Sequence, residues 1–183
     1  ALTWTWYALA QNREVLRKLQ AEVDTVLEGR TPTMADLPKL PYTLQVFEES
    51  MRFYPPVPFT VRLAEEATEL DGYPLPNGAF VMINIHNMHR HPQYWERPEE
   101  FWPDRFAAEN KTKNNRAAYM PFLTGPHMCI GNNFALMEGQ LLLAMMAQKY
   151  EMELQPGQRI EKEATVTMRP KYGMKMKLVE RKG

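Results

Sequence analysis

Between Glu14 and Leu27 the apolar residues Val15, Leu16, Leu19, Val23, Val26 and Leu27 recur at intervals of three and four, which puts them on one face of a helix. Charged residues fill the other face, and Gly29 is placed to cap the end. Thr33 opens a short helical turn to Leu37, and Pro38 and Pro41 punctuate the chain beyond it. A second amphipathic helix is predicted over Tyr42–Phe53, stopped by Pro55 and Pro56 because proline cannot continue the hydrogen-bond ladder. The pattern then turns to β. Phe59–Arg62, Ala67–Leu70 and Phe80–Asn84 read as short strands, with Asp71-Gly72 and Pro76-Asn77-Gly78 as turns. From His89 to Gly131 no period holds, and the polar run Asn110–Arg116 (NKTKNNR) reads as an exposed loop. A third helix is predicted over Asn133–Glu151, with Phe134, Met137, Leu141, Leu142 and Met145 on one stripe. Short strands near Thr165–Arg169 and Met174–Val179 complete the chain. The irregular stretch is unusually long for a single domain, which marks it as a place to look for chemistry.

There is neither an internal repeat nor a linker, so one domain is expected across residues 1–183. The first ten residues, ALTWTWYALA, are apolar and helix-competent, and they begin without an initiator Met or a capping side chain. The expectation is a piece of a longer protein.

Composition narrows the function classes. Of 183 residues, 44% are hydrophobic and 24% charged, the proportions of an ordinary globular protein. The 22 Lys and Arg balance 22 Asp and Glu, which leaves none of the basic excess a nucleic-acid partner calls for. The longest strictly apolar run, Leu141–Ala147, is far too short for a bilayer span, and no membrane segment or signal peptide is expected within this stretch. A single cysteine excludes an intrachain disulfide and a multi-cysteine zinc site.

That cysteine, Cys129, lies in PFLTGPHMCIGNNFALMEG. Gly125 and Gly131 flank it and permit tight backbone geometry and the close approach of a flat ligand. The predicted third helix starts just beyond, so its N-terminal N–H groups and dipole favour a thiolate there. Such a sulfur suits a nucleophile or a metal ligand. A nucleophile needs a histidine base, and His127, two residues away in an extended loop, would point elsewhere. The triplet His86, His89 and His91 has helical metal-ligand spacing at two positions, but no Cys or carboxylate completes a set, which leaves surface or loop histidines as the simpler expectation. Glu49 and Arg52, three apart, share a helix face. Exposed, such a pair is worth roughly 0.5 kcal/mol, so its meaning depends on burial. The basic residues Lys171, Lys175, Lys177, Arg181 and Lys182 read as solvated strand faces and a fraying end. No Gly-rich phosphate cradle is present.

Three segments in order resemble the cytochrome P450 family of haem-thiolate monooxygenases. EESMR contains an E-x-x-R, Glu49 to Arg52; FWPDRF contains a Pro-x-Arg-Phe; and FLTGPHMCIG, Phe122–Gly131, is similar to the family's F-x-x-G-x-[R/H]-x-C-x-G haem loop. The likeness extends through YPPVPFTVR (Tyr54–Arg62) and TVTMRPKYG (Thr165–Gly173), and GNNFALMEGQ is most similar to bacterial members. The resemblance implies a mainly α fold with small β-sheets (α+β), of which this chain would be the C-terminal part. It implies haem b (iron protoporphyrin IX) with Cys129 as axial thiolate, a ligand that favours O–O cleavage. Phe122 would pack on the proximal face, His127 and Arg62 would bind the two propionates, and Gly125 and Gly131 would shape the loop. Glu49, Arg52 and Arg105 would form a buried network, and Val57, Pro58, Phe59, Thr60 and Val166 would meet substrate.

The family's activity would be insertion of one oxygen atom from O2 into a small apolar substrate. Electrons would come from NAD(P)H through a ferredoxin or flavoprotein reductase docked on the proximal side. ALTWTWYALAQN is similar to the half of the distal helix that comes after the family's acid–threonine pair; neither Thr3 nor Thr5 takes that role, and the chain alone is expected to be inactive. A cytoplasmic setting is expected. Two other readings remain open at this point: a haem-thiolate electron-transfer module without oxygenase activity, and a cysteine hydrolase.

Overall fold

Two helices run back to back at the start of the computed structural model, which describes residues 1–110 and 116–181: α1 over Leu2–Gln11 and α2 over Arg13–Leu27. The predicted stripe of α2 is its buried face, with Leu16, Leu19, Val23 and Leu27 all essentially inaccessible. Each such side chain contributes about 1.5–3 kcal/mol by leaving water. The helix ends one residue earlier than Gly29 suggests, at Glu28, which itself takes the left-handed conformation (φ 48°) before Gly29 repeats it.

The turn opened by Thr33 is a 3₁₀ turn over Met34–Lys39, closed by a capping box between Thr33 and Asp36. Arg30 grips the Asp36 carboxylate with both terminal nitrogens, at 2.7 and 2.6 Å, and this bonding holds the carboxyl well below the usual range. Helix α3 spans Pro41–Phe53. Its first N–H groups would be orphans, but Glu22 of α2 accepts from Tyr42 N and Thr43 N, each at 2.7 Å, placing a negative group at the helix N-terminus.

Among the described residues there are four two-stranded antiparallel sheets. Strand β1 (Thr60–Leu63) pairs with β4 (Phe80–Ile83), and the hairpin β2 (Thr68–Leu70) and β3 (Tyr73–Leu75) lies between them in sequence. Asp71 and Gly72 both have positive φ, which lets two residues turn that hairpin. The strand after the turn, β3, has no alternation to announce it. Helix α4 is a single turn, Ile85–Met88, and α5 spans Asn132–Lys149. The chain leaves α5 directly into β5 (Tyr150–Leu154), which pairs with β8 (Met176–Glu180); β6 (Lys162–Ala164) pairs with β7 (Met168–Pro170). Pairing with β8 is what ends the helix at Lys149 rather than Glu151. Lys111–Asn115, most of the run read as an exposed loop, lie outside the described residues, as does Lys182. Arg181 is no fraying end: it pairs with Asp24 at 2.6 Å and donates to the carbonyls of Ala147 and Gln148 at the end of α5.

The main core gathers α1, α2, α3 and α5 around Trp6, Leu9, Leu19, Val46, Phe47 and Leu143. Here the stripe predicted for the third helix is overturned. The face of α5 that docks carries Gly139, Gln140, Leu143, Ala144 and Ala147, whereas Phe134, Leu142 and Met145 are exposed. Small residues allow closer helix approach, and Gly139 allows the closest: a Cβ there would meet the Phe47 ring at 2.3 Å. Gln140 Nε2 ties the same face to the carbonyls of Leu37 and Leu40 at 3.0 and 2.8 Å. Among the described residues no helix is long and apolar enough to cross a membrane.

Gly139→Ala is therefore expected to destabilise the protein. The alanine gains about 1 kcal/mol of helix propensity, but the overpacking against buried Phe47 costs about 1–3 kcal/mol. The net loss of up to about 2 kcal/mol corresponds to a fall of up to roughly 8 °C in Tm; a higher Tm would show that the ring yields.

Candidate functional site

At the far end of α3, Glu49 and Arg52 are both completely inaccessible to solvent. Arg52 grips the carboxylate in two places, Nε to Oε2 at 2.8 Å and Nη2 to Oε1 at 2.9 Å. Arg105, from a 3₁₀ turn over Pro103–Phe106, donates its Nε to the same carboxylate at 3.0–3.1 Å, and the Trp102 amide adds another bond at 2.8 Å. Both guanidiniums also donate to backbone carbonyls. Arg52 takes those of His89, Pro98 and Glu100, and Arg105 those of Glu96, Arg97 and Glu100. Arg97 adopts φ 47° to present its carbonyl. This explains how a long stretch without helix or sheet stays ordered: its buried C=O groups are satisfied by side chains. Trp95 lies under both cations, at 5.3 Å from Arg52 and 5.9 Å from Arg105. Burial lowers the affinity of Arg105 for its proton, an effect opposed by Glu49.

The three histidines of HNMHRH are not brought together into one cluster. Among the described residues no group of three His, Cys, Asp or Glu side chains is placed to hold an ion. His86 meets Asn87 and Lys162, and His91 accepts from the Gln93 amide. His89 keeps to the expected loop, in the turn after α4, but is not at the surface: it is fully buried between Tyr119 and Trp95. Its Nδ1 lies 3.3 Å from the Arg52 carbonyl, and its Nε2 accepts from the Met120 amide at 3.0 Å. Burial, with the nearby charges of Arg52 and Arg90, pulls its pKa down to about 3, against the partly compensating bond to the Arg52 carbonyl. Tyr119 is half-buried beside it and donates to the Glu48 carbonyl at 3.0 Å. Position 89 was visible in the sequence only as one of three histidines; its partners are 31 and 37 residues away.

Beyond Met120 the chain enters the cysteine loop. Phe122 is half-buried against the main core, and its carbonyl accepts the Cys129 amide at 2.9 Å. Leu123 and Gly125 take left-handed conformations (φ 61° and 64°), and a tight turn spans Gly125–His127. Every residue from Thr124 to Ile130 is exposed, Cys129 included. Met128 and Ile130 on either side of it, and Phe134 on the first turn of α5, present apolar side chains to solvent. A Cβ at Gly125 would meet nothing within 4 Å, and one at Gly131 would lie 3.8 Å from the Cys129 sulfur. Among the described residues no histidine is hydrogen-bonded to that sulfur, which leaves the hydrolase reading without a base.

The other residues singled out from sequence are dispersed. Arg62, on β1, donates to Thr60 Oγ1 and the Val61 carbonyl and forms no ion pair among the described residues. His127 is exposed. Val57, Phe59 and Thr60 are half-buried, while Pro58 is buried and its carbonyl accepts the His86 amide at 2.9 Å. Val166 is 85% exposed, at the turn between β6 and β7. A bond from the Met168 amide to the Pro56 carbonyl, 2.8 Å, joins that turn's strand to the stretch containing Val57.

The family model described as cytochrome P450 matches residues 1–178. Carotene epsilon-monooxygenase, chloroplastic, of Arabidopsis thaliana is 42% identical over 98% of this chain and 34% of its own length. Cyclooctatin synthase of Streptomyces melanosporofaciens is 42% identical over 87% of the chain and 35% of its own length. The crystal structure of the cytochrome P450DA heme domain superposes with a TM-score of 0.90 at 31% identity, covering 98% of this chain and 40% of that one. The chain belongs to the cytochrome P450 family. It spans about a third of the length of these relatives, and they are chloroplastic as well as bacterial.

The family implies haem, and the residues fit it. An exposed thiol, open space at Gly125 and exposed apolar side chains beside the sulfur make a surface that a flat apolar macrocycle would cover. Arg62, without an ion pair among the described residues, and exposed His127 are cationic or hydrogen-bonding groups suited to carboxylates at its rim.

Removing the carboxylate at the centre of the network is expected to be costly. Glu49→Gln leaves two buried guanidiniums short of their counter-ion, a loss of about 3–5 kcal/mol by denaturant titration. Glu163→Gln, which breaks the exposed pair with Arg169 at 2.8 Å, is expected to change stability by less than about 1 kcal/mol. Comparable losses would show that the buried pair is not special.

A second expectation concerns acid. With a native pKa of about 3 and an unfolded value near 6.5, His89 takes up a proton on unfolding throughout that window. Its contribution is complete above about pH 6.5 and is lost as pH falls toward 3, with a slope of up to about 1.4 kcal/mol per pH unit. Urea midpoints measured against pH check this; His89→Gln, which has no such proton to gain, is expected to give a flatter profile.

Proposed function

We propose that this chain is the haem-binding C-terminal part of a cytochrome P450 monooxygenase, with Cys129 as the axial thiolate. The observation that carries the reading is the lone cysteine itself: exposed, with its amide held by the Phe122 carbonyl, and set among exposed apolar side chains two residues before the N-cap of α5. Haem ligated by a thiolate supplies oxygen activation.

The protein's own part is to hold and enclose. Phe122 braces the loop from the core side, the N-terminus of α5 adds its dipole near the sulfur, and Arg62 and His127 orient the propionates. The Glu49–Arg52–Arg105 network anchors the irregular segment that leads to the loop. Substrate would be apolar, in keeping with relatives named for carotene and for cyclooctat-9-en-7-ol oxidation. Val57, Phe59 and Thr60, with Val166 across the Met168–Pro56 bond, would form part of its wall. NAD(P)H would supply electrons through a ferredoxin or flavoprotein docked on the side of Cys129.

The test is spectroscopic. The intact protein, reconstituted with haem, reduced and exposed to carbon monoxide, is expected to show the absorption band of thiolate-ligated haem; Cys129→His is expected to bind haem without that band. An identical spectrum in the two would remove Cys129 from the iron and sink the reading.

A further inference from the structure

His89 is not among the residues assigned to haem or substrate above, yet both of its ring nitrogens have partners. The Arg52 carbonyl near Nδ1 needs a proton from its partner, while the Met120 N–H needs a lone pair at Nε2. Only the neutral tautomer protonated at Nδ1 serves both. The residue is tied to the ion-pair network a second time, because Arg52 Nη1 donates to its backbone carbonyl at 2.7 Å. Its ring is clamped by Tyr119, with centroids 5.4 Å apart, and by Trp95 at 6.3 Å.

On the other side of His89 lies the cysteine loop. Once the Met120 amide is held, the Met120 carbonyl accepts the Leu123 amide at 3.1 Å, and that turn sets the left-handed residue Leu123. The same turn orients the carbonyl of Phe122, which holds the Cys129 amide at 2.9 Å. Hydrogen bonds therefore link Glu49 through Arg52 and His89 to Met120, and the Met120–Leu123 turn carries the link to the backbone of Cys129.

We infer that His89 is a positioning residue for Cys129, its bare Nε2 fixing the Met120 amide and, through the Met120–Leu123 turn, the Phe122 carbonyl that holds the thiol's backbone. The inference rests on the reading of Cys129 as haem ligand for its functional meaning, but the mechanical link stands in the chain itself. It also gives the buried ion pairs a task beyond stability: they hold the imidazole that sets the loop.

Three substitutions separate the two bonds. In His89→Gln the side-chain oxygen reaches the place of Nε2 and accepts the Met120 N–H; His89→Asn keeps only a donor toward Arg52; His89→Phe keeps volume alone. In the intact protein, amide exchange at Cys129 and Leu123 is expected to speed up about tenfold in Asn and Phe, the equivalent of one bond of ~1.4 kcal/mol, and to stay near wild type in Gln. Exchange at Leu19 and Val23 in α2 is the control and is expected to change less. The haem-loaded, carbon-monoxide-bound forms are expected to lose part of the thiolate band in the same order. Unchanged loop exchange in Asn and Phe would overturn the inference, and so would equal acceleration in loop and α2 or a Gln variant no better than Phe. Should the wild type lack a thiolate band, the haem assignment fails by itself, while the exchange comparison on haem-free protein still decides the role of His89.

Discussion

A carboxylate with no access to water, held between two guanidiniums, is the constraint on which the rest of this structure depends. Glu49 accepts from Arg52, Arg105 and the Trp102 amide at once, and both arginines are themselves buried. Burying such charges is expensive and is repaid only when every donor and acceptor is matched. Here the matching is supplied by backbone carbonyls of residues 89–100, so the ion pairs and the irregular segment are mutually required. The helix holds the charges, the charges order the chain, and the ordered chain returns to cover the charges with Trp95, Phe106 and Tyr119.

This arrangement explains how a loop can be both exposed and well defined. From Thr124 to Ile130 the backbone has no sheet and little helix, yet it is held at its start by Phe122 in the core and at its end by α5. Helix α5 is itself seated against α3 through Gly139 and Phe47, with Gln140 tied to the carbonyls of the preceding turn. Helix α3 thus carries the network on its C-terminal turn and the docking surface for α5 on its side. The Cys129 sulfur, placed between these two anchors, has its position set by the scaffold, as the proposed ligand role requires.

Much of this was legible in the residues. The amphipathic period of α2, the proline stop after α3 and the hairpin turn at Asp71-Gly72 are local properties, and local chemistry decides them. Cys129 was set apart in the sequence by Gly125, Gly131 and the helix beyond. The face on which α5 packs was not. The larger residues Phe134, Leu142 and Met145 carry the more hydrophobic stripe, but Gly139, Ala144 and Ala147 let α3 approach more closely, and close packing chose that face.

Sequence alone therefore determined the main helices, the order of the motifs and the position of the single thiol, because these depend on spacing and side-chain chemistry within a few residues. Tertiary structure alone decided that Glu49 and Arg52 are an inaccessible pair and not a surface one, and that Arg105 completes it from 56 residues away. It also decided that His89 stands between the network and the cysteine loop and not at the surface. Burial and partnership are properties of the residues that the rest of the chain brings alongside, and a pair of residues three apart reads the same whether water or tryptophan covers it.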